Sequence, residues 1–279
     1  MADKEAKAKW NAKDTVFVDL FHIPKYRYQL FRTLHPEMTD VKETDIEPVT
    51  LNPIILNQSY NDLGLLVKDR LIIFVEAQST WSINILIRIL LYLAMTYQNY
   101  ITEHGLYVYG SKKIEIPEPE FYVIFTGNRK FTKDTISLKD DFWNNQNAKV
   151  DVEAKVIYAE NKEDIIGQYI IFSHVLDDQI RKHGRNKTAV EEAIRICKSE
   201  GVLKEYLESR EKEVIDIMIT LFGQEYAVEA YAKDEKIKTA VEMCQEFGTT
   251  IEEAIQKLIS KFGISRNDSA EYVKEYWKN

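Results

Sequence analysis

The chain has 279 residues, 45% of them hydrophobic and 29% charged, with a formal net charge of −8. That length suits one sizeable domain or two modest ones, and that mixture excludes a disordered chain. The acidic balance excludes a strongly basic nucleic-acid binder, although a bound cation or a local basic patch can offset acidic surface elsewhere.

The first dozen residues, MADKEAKAKWNA, are charged and lack an apolar h-region, so a cytoplasmic protein is expected rather than a secreted one. Cys197 and Cys244 sit in helical patterns without C-x-x-C spacing. This argues against a disulfide scaffold or a zinc site and suits a reducing compartment. Residues 14–22 and 25–35 read as short helices, with Asp14 placed either to cap the first or to support a site. Residues 36–50 are polar, contain Pro36 and Pro48, and read as a loop. Ile54-Ile55-Leu56 reads as the start of a strand or a turn leading to Asp62.

Residues 61–79, NDLGLLVKDRLIIFVEAQS, carry the strongest chemical signal. Two apolar runs flank the polar turn Lys68-Asp69-Arg70 and read as an antiparallel hairpin. Leu71 to Val75 is an unbroken apolar run, as expected of a strand covered on both faces. Asp62 opens the first strand; Glu76 and Gln78 close the second, two apart and therefore on one face. Ala77 between them belongs to the other face. The hairpin brings Asp62, Glu76 and Gln78 to one end of a sheet. Two carboxylates there make a site for a hard divalent cation, and a neighbouring amide can orient a water. That is minimal equipment for metal-assisted cleavage of a phosphodiester.

Residues 81–101 approach membrane-spanning length, but Asn84, Arg88, Gln98 and Asn99 interrupt them, so a core helix is expected and no membrane partner. Residues 121–126 and 152–159 read as strands, and 163–183 as a helix. Thr188 to Glu191 has the form of a capping box, and Thr250 with Glu253 repeats it. Gly263 separates two short final helices. The basic run from Arg181 to Lys187 reads as an interhelical loop or as a contact for DNA phosphates. Leu203, Leu207, Val214, Ile215, Met218 and Leu221 form a helical apolar stripe that either packs on the core or makes a dimer seam. The five histidines, His22, His35, His104, His174 and His183, have no ligand spacing and are assigned no chemistry.

The Asp62…Glu76-Ala77-Gln78-Ser79 pattern, followed by a long apolar helix, resembles the PD-(D/E)XK nucleases. More closely, it resembles the recombination-promoting nuclease group, also described as PD-(D/E)XK nuclease family transposases. KDTVFVDLF (13–21) is similar to that group's opening helix, PEFYVIFTGN (119–128) to its later core strand, and residues 189–222 to its following helical segment. The resemblance implies an α/β, restriction-endonuclease-like core with a central mixed sheet flanked by helices. That core is expected over residues 1–184, with a helical region for oligomerisation or DNA or partner binding over 185–279. It implies a bacterial, cytoplasmic, Mg²⁺-dependent DNA endonuclease, with Mn²⁺ or Ca²⁺ as other candidate ions. Recombination, mobile elements and phage defence are the implied settings. Asp62 and Glu76 would bind the metal with the carbonyl of Ala77, Gln78 would orient the attacking water, and Asp14 and Arg88 would support them. Gln78 departs from the superfamily's Lys: an amide can hold a water but brings no positive charge. A homodimer or higher homo-oligomer suits an enzyme that cuts both strands. Two alternatives stand beside this reading: a weak or inactive DNA-binding protein that keeps the fold, and an interaction or regulatory protein that acts through its helical end.

Overall fold

Two short helices open the described chain, α1 (Ala12–His22) and α2 (Pro24–Leu34). Pro24 begins α2, where its missing N–H and fixed φ suit a first helical turn. The computed structural model describes residues 12–49, 62–68, 71–78, 82–127, 133–158 and 162–277, with backbone alone at 12–15, 62, 71–78 and 225. The strand or turn expected at Ile54 to Leu56 lies outside the described residues. α1 has already begun at Ala12, so Asp14 lies within its first turn rather than at its N-cap.

The next strands are β1 (Ile46–Val49), β2 (Asp62–Val67) and β3 (Leu71–Gln78). β1 replaces part of the expected 36–50 loop. It tolerates Pro48 because it is an edge strand, where a missing donor breaks no inner ladder. After α3 (Ile85–Glu103) come β4 (Glu118–Phe125), the three-residue β5 (Thr135–Ser137) and β6 (Glu153–Ile157). They form one six-stranded sheet in the order β1-β2-β3-β4-β6-β5. β1, β2 and β3 run antiparallel; β3, β4 and β6 are parallel; β5 is antiparallel to β6. α3 supplies the crossover that a parallel β3–β4 pair requires.

Helices cover both faces of this sheet. Leu63, Leu65, Val67, Tyr122 and Ile124 pack with Phe17, Leu20, Leu30 and Phe31 of the first two helices and with Tyr169 and Ile170. The last two belong to α4 (Ile165–His183). On the other face Phe121, Val123 and Phe125 pack with Ile85, Leu86 and Ile89 of α3. Each such side chain taken from water contributes about 1.5–3 kcal/mol before entropy is charged against it. Among the described residues no helix is long and apolar enough to cross a membrane.

The rest is helical: α5 (Lys187–Ser199), α6 (Lys204–Ser209), α7 (Glu211–Glu246), α8 (Ile251–Phe262) and α9 (Arg266–Tyr276). α5 opens on Asn186, whose side chain accepts from the Ala189 N–H, and not on the expected Thr188 box. Gly184 does end α4, at φ 79°, but the first compact unit continues to Phe222. Ala193, Ile194, Cys197, Tyr206 and Leu207 are buried in the same core as the sheet, so the expected boundary at Gly184 moves into α7, after Phe222. The stripe question is settled likewise. Leu203, Leu207, Val214, Met218 and Leu221 are buried in that core, with Ile215 packed against it. Leu203 holds a left-handed φ of 47°, stabilised by its own burial and by its N–H donating to Gln168 Oε1 at 2.8 Å.

The second unit, Gly223–Asn279, has its own core of Ile237, Val241, Cys244, Ala254, Ile255, Leu258 and Val273. Thr250 and Glu253 form the expected capping box, and Gly263 ends α8 at φ 64°. Cys197 and Cys244 are free and buried.

Candidate functional site

Val67 pairs with Leu71 across the β2–β3 turn, and the register runs from there to Asp62 opposite Glu76. Lys68 opens the turn at φ 50°, a left-handed backbone that costs a non-glycine residue about 1–2 kcal/mol. Its N–H donates to the Asp45 carbonyl at 3.2 Å, and its ammonium bonds Asp40 at 2.7 Å with Asp45 at 4.0 Å. These contacts pin the turn end of the hairpin. A slip of one residue there would separate Asp62 from Glu76 and change the face of every position.

β3 lies inside the sheet, with β4 on its other side. Glu76 is beside Val123, Ala77 beside Ile124, and Gln78 beside Phe125. Paired positions, and positions two apart, share a face. Positions 62, 76 and 78 therefore lie on the face of Val123 and Phe125, which α3 covers; position 77 lies on the face of Ile124. Directly opposed residues of an antiparallel pair have Cα atoms roughly 4.5–5.5 Å apart. Like charges placed there destabilise the pair until a cation or a proton neutralises them.

Arg88 lies between buried Leu86 and Ile89 on α3, half-buried, with its guanidinium carbon 5.9 Å from the centre of the Tyr92 ring. α3 is thus the helix on the face of positions 62, 76 and 78. Asp14 belongs to α1, which packs on the opposite face through Val16, Phe17, Leu20 and Phe21. The structure does not bring that helix to the face of the other three positions. Among the described residues no three His, Cys, Asp or Glu side chains gather as metal ligands, and the side chains at 62 and 76 lie outside that set.

A second polar cluster was missed from the sequence. His35, buried at the end of α2, faces Glu37 through Nδ1 at 3.0 Å and Glu120 through Nε2 at 3.2 Å. Tyr122 donates to Glu120 at 2.5 Å and lies 3.3 Å from His35 Nε2. Burial, then the bond to Glu120, pushes the Tyr122 phenol well above its ordinary range, which keeps it a donor. Backbone hydrogen bonding, then His35, holds the Glu37 carboxyl below its ordinary value. The cluster lines an open cleft of about 380 Å³ with Lys155, whose ammonium sits 5.7 Å from the Tyr122 ring centre. The two carboxylates occupy opposite sides of one imidazole, so these groups brace α2 to β4 rather than converge on a point. His35 and Tyr122 are 87 residues apart, and no local spacing announces their meeting.

The basic run from Arg181 to Lys187 forms the α4–α5 corner. Arg181 pairs with Asp178, and Lys187 with Glu191 at 3.3 Å. Compared with family models, curated proteins and solved structures, the chain matches none.

Proposed function

We propose that this chain is a metal-dependent DNA endonuclease whose centre is built on Asp62, Glu76 and Gln78. The observation that carries this reading is the register of β2 and β3, in which Asp62 stands opposite Glu76. Nothing about strand stability favours two acids in paired positions; a cation-binding role gives the pair a reason. Carboxylate oxygens suit a hard ion such as Mg²⁺, and the Ala77 carbonyl is a third oxygen in the same stretch of strand. Bound there, such an ion supplies an acidified water and neutralises charge on the scissile phosphate. Asp62 and Glu76 would hold it. Gln78, two residues beyond Glu76, would accept or donate a hydrogen bond to the attacking water without adding charge. Arg88, on the helix covering that face, would steady a phosphate. The six-stranded mixed sheet flanked by helices is compatible with a restriction-endonuclease-like core.

The test is cleavage of supercoiled plasmid by purified protein in Mg²⁺, beside Asp62→Ala, Glu76→Ala and an EDTA control. Nicking or linearisation lost in both variants and in EDTA supports the reading. Intact plasmid in Mg²⁺, Mn²⁺ and Ca²⁺ with folded protein overturns it in favour of a binding role.

A further inference from the structure

The second unit carries an open groove of about 360 Å³ between the end of α7 and α8. Ala240, Met243 and Cys244 line it from α7 at positions i, i+3 and i+4, on one helical face, and Phe247, in the turn just after α7, continues the lining one turn further on. Leu258 and Cys244 form a buried floor. Met243 is 48% exposed and Phe247 75%, a large apolar surface to leave in water. Two exposed cations, Lys257 and Lys261, stand one turn apart on the α8 side. Among the described residues neither makes an ion pair. Glu253, the natural partner of Lys257 one turn back, has its carboxylate engaged by the Thr250 N–H and hydroxyl at 2.8 and 2.9 Å.

We propose that this groove docks an acidic amphipathic helix of a partner protein. The apolar face of such a helix fills the space beside Met243 and Phe247, and carboxylates one turn apart on its flank meet Lys257 and Lys261. Charge complementarity chooses this occupant. The lining of Ala240, Met243, Cys244, Phe247 and Leu258 suits the apolar face of a helix and offers a phosphate backbone nothing to bond, which sets the groove apart from a contact for DNA.

The experiment is fluorescence anisotropy with the full chain. The labelled probe is an amphipathic peptide of about 18 residues, long enough to hold a helix, with leucines on one face and glutamates on its flanks. Comparators are the same peptide with lysines in place of the glutamates, and a short duplex DNA. The acidic peptide is expected to bind about tenfold or more tighter than the basic one. The double variant Lys257→Glu, Lys261→Glu reverses that preference, and Phe247→Ser weakens binding of the acidic peptide about tenfold. All three substituted side chains are exposed, so circular dichroism should be unchanged. Equal affinity for both peptides, tighter binding of DNA, self-association by sedimentation, or no binding of any probe by folded protein each overturns the proposal.

Discussion

In the first unit Tyr206 reaches back 187 residues to Asp19, donating to its carboxylate at 2.7 Å, and Arg210 clasps the same carboxylate at 2.9 and 3.1 Å. In the second unit the corresponding phenol contact, from the half-buried Tyr272 to Asp234 at 2.6 Å, spans only 38 residues. The first is a sheet whose strands and covering helices come from across some 200 residues of chain. The second is a set of helices joined by short connections and closed by its own caps. Long-range contacts must offset loop-closure entropy before they contribute, so the first unit depends on every layer being in place. The second depends chiefly on local signals.

The largest effect should come from the stripe that closes the first core. Leu207→Ala removes a fully buried side chain and is expected to lower unfolding stability by about 3 kcal/mol in a denaturant titration. Sedimentation should show no change in assembly, since this face is internal; a change of oligomeric state would restore the dimer-seam reading. Asp19→Ala removes the carboxylate that serves both Tyr206 and Arg210. The carboxylate and the Arg210 guanidinium are partly solvated beside the buried Tyr206 ring, so about 1–2 kcal/mol is expected, discounted for screening. An equal loss from Arg210→Ala alone would be consistent with one shared contact. Thr250→Ala should cost about 1 kcal/mol and act locally, read as faster amide exchange in the first turn of α8. Exchange that speeds equally in β3 would contradict the separation of the two regions.

A further effect is one of pH and is absent at neutrality. Burial pushes the Cys197 thiol up to about 12, above its unfolded value. Between those two values the unfolded chain has lost a proton that the folded chain keeps. Stability from this group is therefore full below the unfolded pKa and falls as pH rises through that window. Cys197→Ala should flatten the alkaline decline. In native protein Cys197 should resist alkylation at neutral pH.

What was legible in the sequence follows the same divide. The β2–β3 hairpin could be read because its pattern, its turn and its register all lie within seventeen residues, from Asp62 to Gln78. The Thr250–Glu253 box and the stop at Gly263 are equally local. Pro48 hid β1, because the tolerance of an edge strand depends on neighbours 17 or so residues later. β5 has three residues and too few alternations to show a period. Asn186 displaced the Thr188 box because the cap is decided by where the chain leaves α4, which the four-residue pattern does not contain. The unit boundary was misplaced because a glycine marks the end of a helix and not the end of a core. The pairing of Asp62 with Glu76 was readable; the brace of His35, Glu120 and Tyr122 was not, since only the folded sheet brings β4 to the end of α2.

The most direct measurement is the melting temperature of wild type, Asp62→Asn and Glu76→Gln, each in EDTA and in saturating Mg²⁺. If the paired acids form a cation site, each neutral variant melts above wild type in EDTA, because a like-charge pair worth about 0.2–1 kcal/mol is relieved. Mg²⁺ at about a hundred times its dissociation constant should stabilise wild type by about 2.7 kcal/mol and leave both variants unmoved. A wild type indifferent to Mg²⁺, with variants that melt lower in EDTA, would contradict the metal-site reading and make the pair structural.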